Sequence, residues 1–136
     1  MKPSYRTALK SLSWSYGWPF ATIADQLDRK DYLEQDSDIY QAAYSLCQNK
    51  GATDPVFRTW AEHFKEVHIA LGTYKGIVGM WKEVITSLRN LAANDKTKKL
   101  DLVGMEKTIR TAQENINKHR CEFGEKLDAL WSREMP

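Results

Sequence analysis

Cysteine is nearly missing from this chain. Its 136 residues include two, Cys47 and Cys121, too few and too isolated for a disulfide framework or a thiolate metal site. Glycine and proline are scarce, at 7 and 4, which excludes the many tight turns of an all-β sandwich of this size. Long apolar runs are missing too. The longest, Gly76 to Trp81, has six residues, so no segment spans a bilayer. The opening stretch MKPSYRTALKSLSWSYG lacks the continuous apolar core of a signal peptide. Neither sign of charge dominates, since 20 basic and 18 acidic side chains leave a net charge of +2. Catalytic signatures are equally sparse. No phosphate-cradling glycine loop, HExxH or CxxC is present, and the carboxylates are spread as on helix surfaces. These absences leave an all-α, cytoplasmic chain for which no metal, cofactor or small-molecule substrate is expected.

Apolar periodicity fills in the rest. Tyr5, Ala8, Leu9, Leu12 and Tyr16 recur at helical spacing between Pro3 and Gly17. Trp18-Pro19 then breaks the pattern, because a residue before proline avoids the helical region. Phe20, Ile23 and Leu27 start a second pattern reaching toward Leu33, and Asp36 or Ser37 can cap a third that carries Tyr40, Ala43, Tyr44 and Cys47. Whether residues 20–50 form one helix or two stays open at this level. Thr53-Asp54-Pro55 reads as a helix start. Beyond it, Phe57, Trp60, Phe64, Val67, Leu71, Tyr74, Val78, Trp81, Ile85, Leu88 and Ala92 alternate at spacings of three and four without a miss. A third column, Val56, Ala70, Ile77, Val84 and Leu91 with His63 as its polar member, widens the stripe enough for two partner helices to share. A polar connection at residues 94–99 precedes a last helix over about 101–133, with Leu102, Met105, Ile109, Ala112, Ile116, Phe123, Leu127 and Leu130 or Trp131 on one side. The expected fold is a single elongated helical bundle over 1–136. Short helices occupy 1–52, and a long antiparallel hairpin of about 55–93 and 101–133 occupies the rest.

Size arithmetic sharpens the expectation. A continuous helix over 55–93 spans about 58 Å at 1.5 Å per residue, whereas a compact globule of this length is roughly 37 Å across. Gly72, Gly76 and Gly79 are the only plausible break, but the apolar register passes through them unchanged, so an unbroken helix is expected. An elongated hairpin would leave Phe57, Trp60, Phe64, Tyr74 and Trp81 in water, and self-association as a homodimer would cover them. The alternative is a monomeric four-helix-bundle adaptor, closed by the first 50 residues folding back.

The surface offers one ordered feature. His68, Lys75, Lys82 and Arg89 follow at intervals of seven, Lys96 continues the spacing, and Lys98 and Lys99 add charge. Such an edge suits an acidic protein partner or an anionic membrane surface, which would make the protein peripheral to a membrane. Charge asymmetry agrees: residues 1–68 hold 8 basic and 9 acidic side chains, residues 69–136 hold 12 and 9. Nucleic acid is not an expected partner, because a sequence pI near 8.5 falls short of a phosphate-binding face.

Two resemblances carry functional implications. The element Arg58-Thr-Trp-Ala-Glu-His63 is similar to the Arg-x4-His element of HEPN domains, helical ribonucleases in which residues of two protomers meet. That resemblance implies an RNA-cleaving dimer in which Arg58 holds phosphate and His63 transfers a proton. The stretch YQAAYSLCQNKGATDPVFRTWAEHFKEVHIALGTYKGIVGMWKEVITSLRNL, followed by DKTKKLDLVGMEKTIRTAQENINKHR, resembles part of a BAR domain over roughly residues 38–120. It implies a dimeric, membrane-sensing helical module with Lys75, Lys82, Arg89, Lys96, Lys98 and Lys99 as lipid contacts. The reading with the widest support is non-catalytic: self-association and partner docking.

Overall fold

The computed structural model describes residues 2–29, 36–95 and 101–136. Among the described residues there are five α-helices and no strand: α1 (Pro3–Tyr16), α2 (Phe20–Asp28), α3 (Ser37–Lys50), α4 (Pro55–Asn94) and α5 (Leu102–Leu130). The chain is all-α, as the periodicity predicts. Local chemistry sets the boundaries. Gly17 adopts a positive φ of 67°, which only glycine takes without strain, and its N–H donates to the Ser13 carbonyl at 2.7 Å to close α1. Asp36 caps α3 by accepting from the Asp38 N–H at 2.9 Å. Asp54 accepts from the Val56 N–H at 3.0 Å where α4 starts at Pro55. Among the described residues, the segment 20–50 therefore holds two helices. Gly72, Gly76 and Gly79 all lie inside α4, which runs unbroken for 40 residues. The last helix ends at Leu130 rather than near Arg133, in a turn where the Ser132 N–H reaches the Ala129 carbonyl at 3.2 Å.

The chain forms two compact units, and the division falls within α4 and α5. Unit 1 is Met1–Gly72 with Phe123–Pro136, and unit 2 is Thr73–Glu122. In unit 1, α1 packs on α2 and α2 on α3. These helices, the first half of α4 and the end of α5 share one core. Tyr5, Leu9, Phe20, Ile23, Leu27, Tyr40, Trp60, Phe64, Val67, Leu71, Leu127 and Trp131 are all buried there. Each such side chain contributes about 1.5–3 kcal/mol by leaving water. The residues after α5 strap this unit. The Trp131 carbonyl accepts from the Lys2 N–H at 3.1 Å, the Pro136 carbonyl accepts from Trp60 Nε1 at 3.2 Å, and Arg133 pairs with Glu66 at 2.6 Å.

Unit 2 consists of the end of α4 and most of α5. Tyr74, Val78, Ile85 and Ala112 are buried in it. Ile77, Trp81, Val84 and Leu88 of α4, and Met105, Ile109 and Ile116 of α5, are only half-buried. No described helix is long and apolar enough to cross a membrane.

Candidate functional site

The structure redistributes the aromatic set expected at a self-association face. Phe57, Trp60 and Phe64 are interior residues of unit 1. Trp60 stacks on Phe64 with ring centroids 5.4 Å apart, while Phe20 approaches Phe64 to 5.9 Å and Tyr5 approaches Trp60 to 5.9 Å. The N-terminal helices supply the rings that cover this half of the stripe, so these three residues do not form an exposed face. Tyr74 is also buried. Trp81 alone of the five remains half-exposed.

Arg58 and His63 are likewise placed differently from a shared catalytic site. Arg58 donates from Nε to the Gly51 carbonyl at 2.5 Å, spanning the turn between α3 and α4. A side chain at Gly51 would meet Arg58 Cγ at 2.9 Å, so glycine is what lets the arginine cross so closely. His63 is 1% exposed, enclosed by the rings of Tyr5, Trp60 and Phe64. Its Nε2 shares a 2.8 Å hydrogen bond with the Tyr5 hydroxyl, and Nδ1 is buried without a hydrogen-bond partner. Burial, and secondarily the charge of Arg133, pull the imidazole down to about 3, so it stays neutral at pH 7. A neutral histidine sealed in an aromatic cage has no path to a substrate phosphate. The same burial raises Tyr5 well above the ordinary phenol range and pushes the Cys47 thiol up to about 12, which leaves that thiol inert.

The basic edge is present in part. His68 Nδ1 donates to the Ser37 carbonyl at 2.7 Å and so ties the start of α3 to α4. Lys75 is half-buried, whereas Lys82 and Arg89 are exposed and have no ion-pair partner among the described residues. Lys96, Lys98 and Lys99 lie outside the described residues.

Two surface features stand out. The first is a seam on unit 2, made of the third column of the apolar stripe together with Trp81 and Leu88. Ile77, Trp81, Val84, Leu88 and Leu91 repeat at spacings of four, three, four and three, about 70° around α4 from the buried Tyr74–Val78–Ile85 line. All are half-buried except Leu91, which is 55% exposed. Its outer border is Thr73, Met80, Ser87 and Asn94, with no charge. The signal was legible: between residues 73 and 94 the only charges are Lys75, Lys82, Glu83 and Arg89. The second feature is an aromatic corner in unit 1, where Trp14, Trp18 and Tyr16 stand exposed. No local pattern announces it, because an isolated Trp reads as core until the neighbouring helices are placed.

Among the described residues, no group of three or more His, Cys, Asp or Glu side chains is placed to hold a metal ion. No protein-family model, curated protein or solved structure matches the chain.

Proposed function

We propose that the protein is a non-catalytic association module that pairs with a second copy of itself through unit 2. The observation behind this reading is the seam Ile77–Trp81–Val84–Leu88–Leu91, a heptad line that α5 leaves partly uncovered, with Leu91 at its end exposed. Antiparallel pairing of two copies sets Ile77 opposite Leu88 and Trp81 opposite Val84, large against small, about a two-fold axis. The uncharged border neither repels a second copy nor encodes preference for a charged foreign helix. Burying these five side chains supplies the apolar term that two helices alone do not provide.

Sedimentation equilibrium at concentrations from about one to a hundred times the dissociation constant tests the proposal. The wild-type chain is expected to reach twice its 15.7 kDa mass, and Val84→Glu with Leu91→Glu to stay at that mass. A wild-type monomer at tens of micromolar would sink the reading. So would a dimer indifferent to the Val84 and Leu91 changes.

A further inference from the structure

Unit 1 keeps an imidazole in its core, and the cover around that ring is uneven. One cover is α1, whose Tyr5 hydroxyl shares the 2.8 Å bond with His63 Nε2 and whose Tyr5, Leu9 and Leu12 are all buried. A second cover is the short segment that follows α5. Arg133 meets Glu66 at 2.6 Å, and the Pro136 carbonyl accepts from Trp60 Nε1 at 3.2 Å. Residues 132–136 therefore cross α4 from Glu66 back to Trp60 and pass the level of His63, which lies midway between those two. Their hold is slight. Ser132, Arg133, Glu134 and Pro136 are exposed, and of these five residues Met135 alone packs against the core. The other tethers are the single Trp60 bond and the Arg133–Glu66 and Glu134–Lys2 pairs, both open to water.

The closed unit has no place for a second proton on His63. Nε2 is engaged with Tyr5, and Nδ1 is buried with no hydrogen-bond partner among the described residues. An imidazolium carries two N–H donors, so one of them would be left buried and unsatisfied. The titratable and charged groups around the ring are Tyr5 of α1, with Tyr40 of α3 near it, Glu66 of α4 and Arg133. Burial raises both phenols, so neither supplies a negative charge. Glu66 is engaged with Arg133, and Arg133 opposes a further cation.

From this arrangement we infer that residues 132–136 form an acid-released latch: protonation of His63 detaches them from α4 and lets water reach the ring, while α1, α2 and α3 stay packed. Departure of the segment takes the Arg133 charge away and hydrates the imidazole. The helix α1 does not give way first, because three buried side chains and its packing on α2 hold it. The closed unit keeps the imidazole down at about 3, mainly by burial, whereas a hydrated ring has its ordinary value of 6.5. Above pH 6.5 neither form takes the proton, and the latch stays shut. Below it only the opened form does, so each pH unit from there toward 3 favours opening about tenfold. The device lies wholly in unit 1 and does not depend on the pairing proposed through unit 2.

Hydrogen exchange of the Trp60 indole N–H, followed by NMR on the full chain and corrected for the intrinsic pH dependence of exchange, tests the latch. Between pH 7 and pH 5 its protection is expected to fall about 25-fold, while the amides of Ile23, Leu27, Ala43 and Cys47 keep theirs. In Tyr5→Phe with His63→Phe the fall should vanish. Should that pair fail to fold, Met135→Ala gives an independent reading, because it removes the one apolar anchor of the segment. It should lower Trp60 protection about fivefold at pH 7 and leave the relative fall toward pH 5 unchanged. Constant Trp60 protection in the wild-type chain overturns the inference. An equal fall in α2 and α3 would be global unfolding, and an equal fall at the Leu9 amide would make α1 the moving cover; either overturns it. So does a fall that survives the loss of His63, or a Met135→Ala chain that protects Trp60 as well as wild type does.

Discussion

The two halves of α4 carry the same heptad pattern and meet different fates. In unit 1, Trp60 at a core position is fully buried because α1, α2, α3 and the end of α5 all contribute to the same core. In unit 2, Trp81, three heptads later at the same position, is only partly buried because only α5 shares the unit. Register decides which side of a helix is apolar. The number of neighbouring helices decides how much of that side leaves water.

Truncating the two tryptophans tests this contrast and carries the largest expected effect. Trp60→Ala should cost about 3–5 kcal/mol, in the range for a fully buried ring, and Trp81→Ala about 1–2 kcal/mol. Urea unfolding followed by circular dichroism measures both. Equal costs would mean that unit 2 is as fully packed as unit 1 in solution, which a tight dimer would produce. Repeating the Trp81→Ala measurement in the Val84→Glu background separates those two cases.

The next effect belongs to unit 1 alone. His63 holds its pKa near 3 in the folded chain, against 6.5 when unfolded. Above pH 6.5 both states are neutral and the full stability is present. As pH falls from 6.5 toward 3 the unfolded state takes up a proton that the folded state refuses, so stability drops by an amount on the order of 4 kcal/mol. Below pH 3 this source of pH dependence is exhausted. Replacing His63 and its partner together, as His63→Phe with Tyr5→Phe, should flatten the slope over that window. An undiminished slope would place the acid sensitivity in other groups.

Much of this fold was legible in the chain. The run from Phe57 to Ala92 made α4 unmistakable, and the caps at Asp36 and Asp54 and the stop at Gly17 follow from known backbone preferences. What sequence could not supply was the pairing of distant segments. Tyr5 meets His63 across 58 residues, and Trp60 reaches Pro136 across 76. Without those contacts Phe57, Trp60 and Phe64 look like an exposed surface, and a packing histidine next to Arg58 looks like part of a catalytic pair. The basic edge was legible as a spacing, but His68 turned out to be a structural tether. The uncharged border of the unit 2 seam could have been found by asking where charges are absent rather than where they cluster.

Glycine substitutions sharpen the comparison at a smaller scale. An added Cβ at Gly79 in unit 2 meets nothing within 4 Å, so Gly79→Ala should stabilise the chain by about 1 kcal/mol through helix propensity. At Gly51 in unit 1 the same atom would meet Arg58 Cγ at 2.9 Å and the Cys47 carbonyl at 3.0 Å. Gly51→Ala should therefore destabilise, by about 1–3 kcal/mol, as the arginine is pushed off the turn. Opposite signs in thermal unfolding are expected. A destabilising Gly79→Ala would reveal that another backbone packs against that side of α4.

The smallest effect concerns the ion pair that joins the two ends of unit 1. Arg133 and Glu66 meet at 2.6 Å, but both side chains are close to half exposed, and water competes for each charge. A double-mutant cycle with Glu66→Gln and Arg133→Met should give a coupling of about 0.5 kcal/mol. Arg133 also has a second, indirect effect, because its charge helps to depress the pKa of His63. Arg133→Met should therefore move the acid-induced loss of stability slightly downward in size, by letting the imidazole accept its proton at a higher pH, even where the ion pair itself is worth little. A coupling above about 2 kcal/mol would indicate that the strap is desolvated in solution. Closure of unit 1 would then depend on the charge pair as well as on the aromatic core.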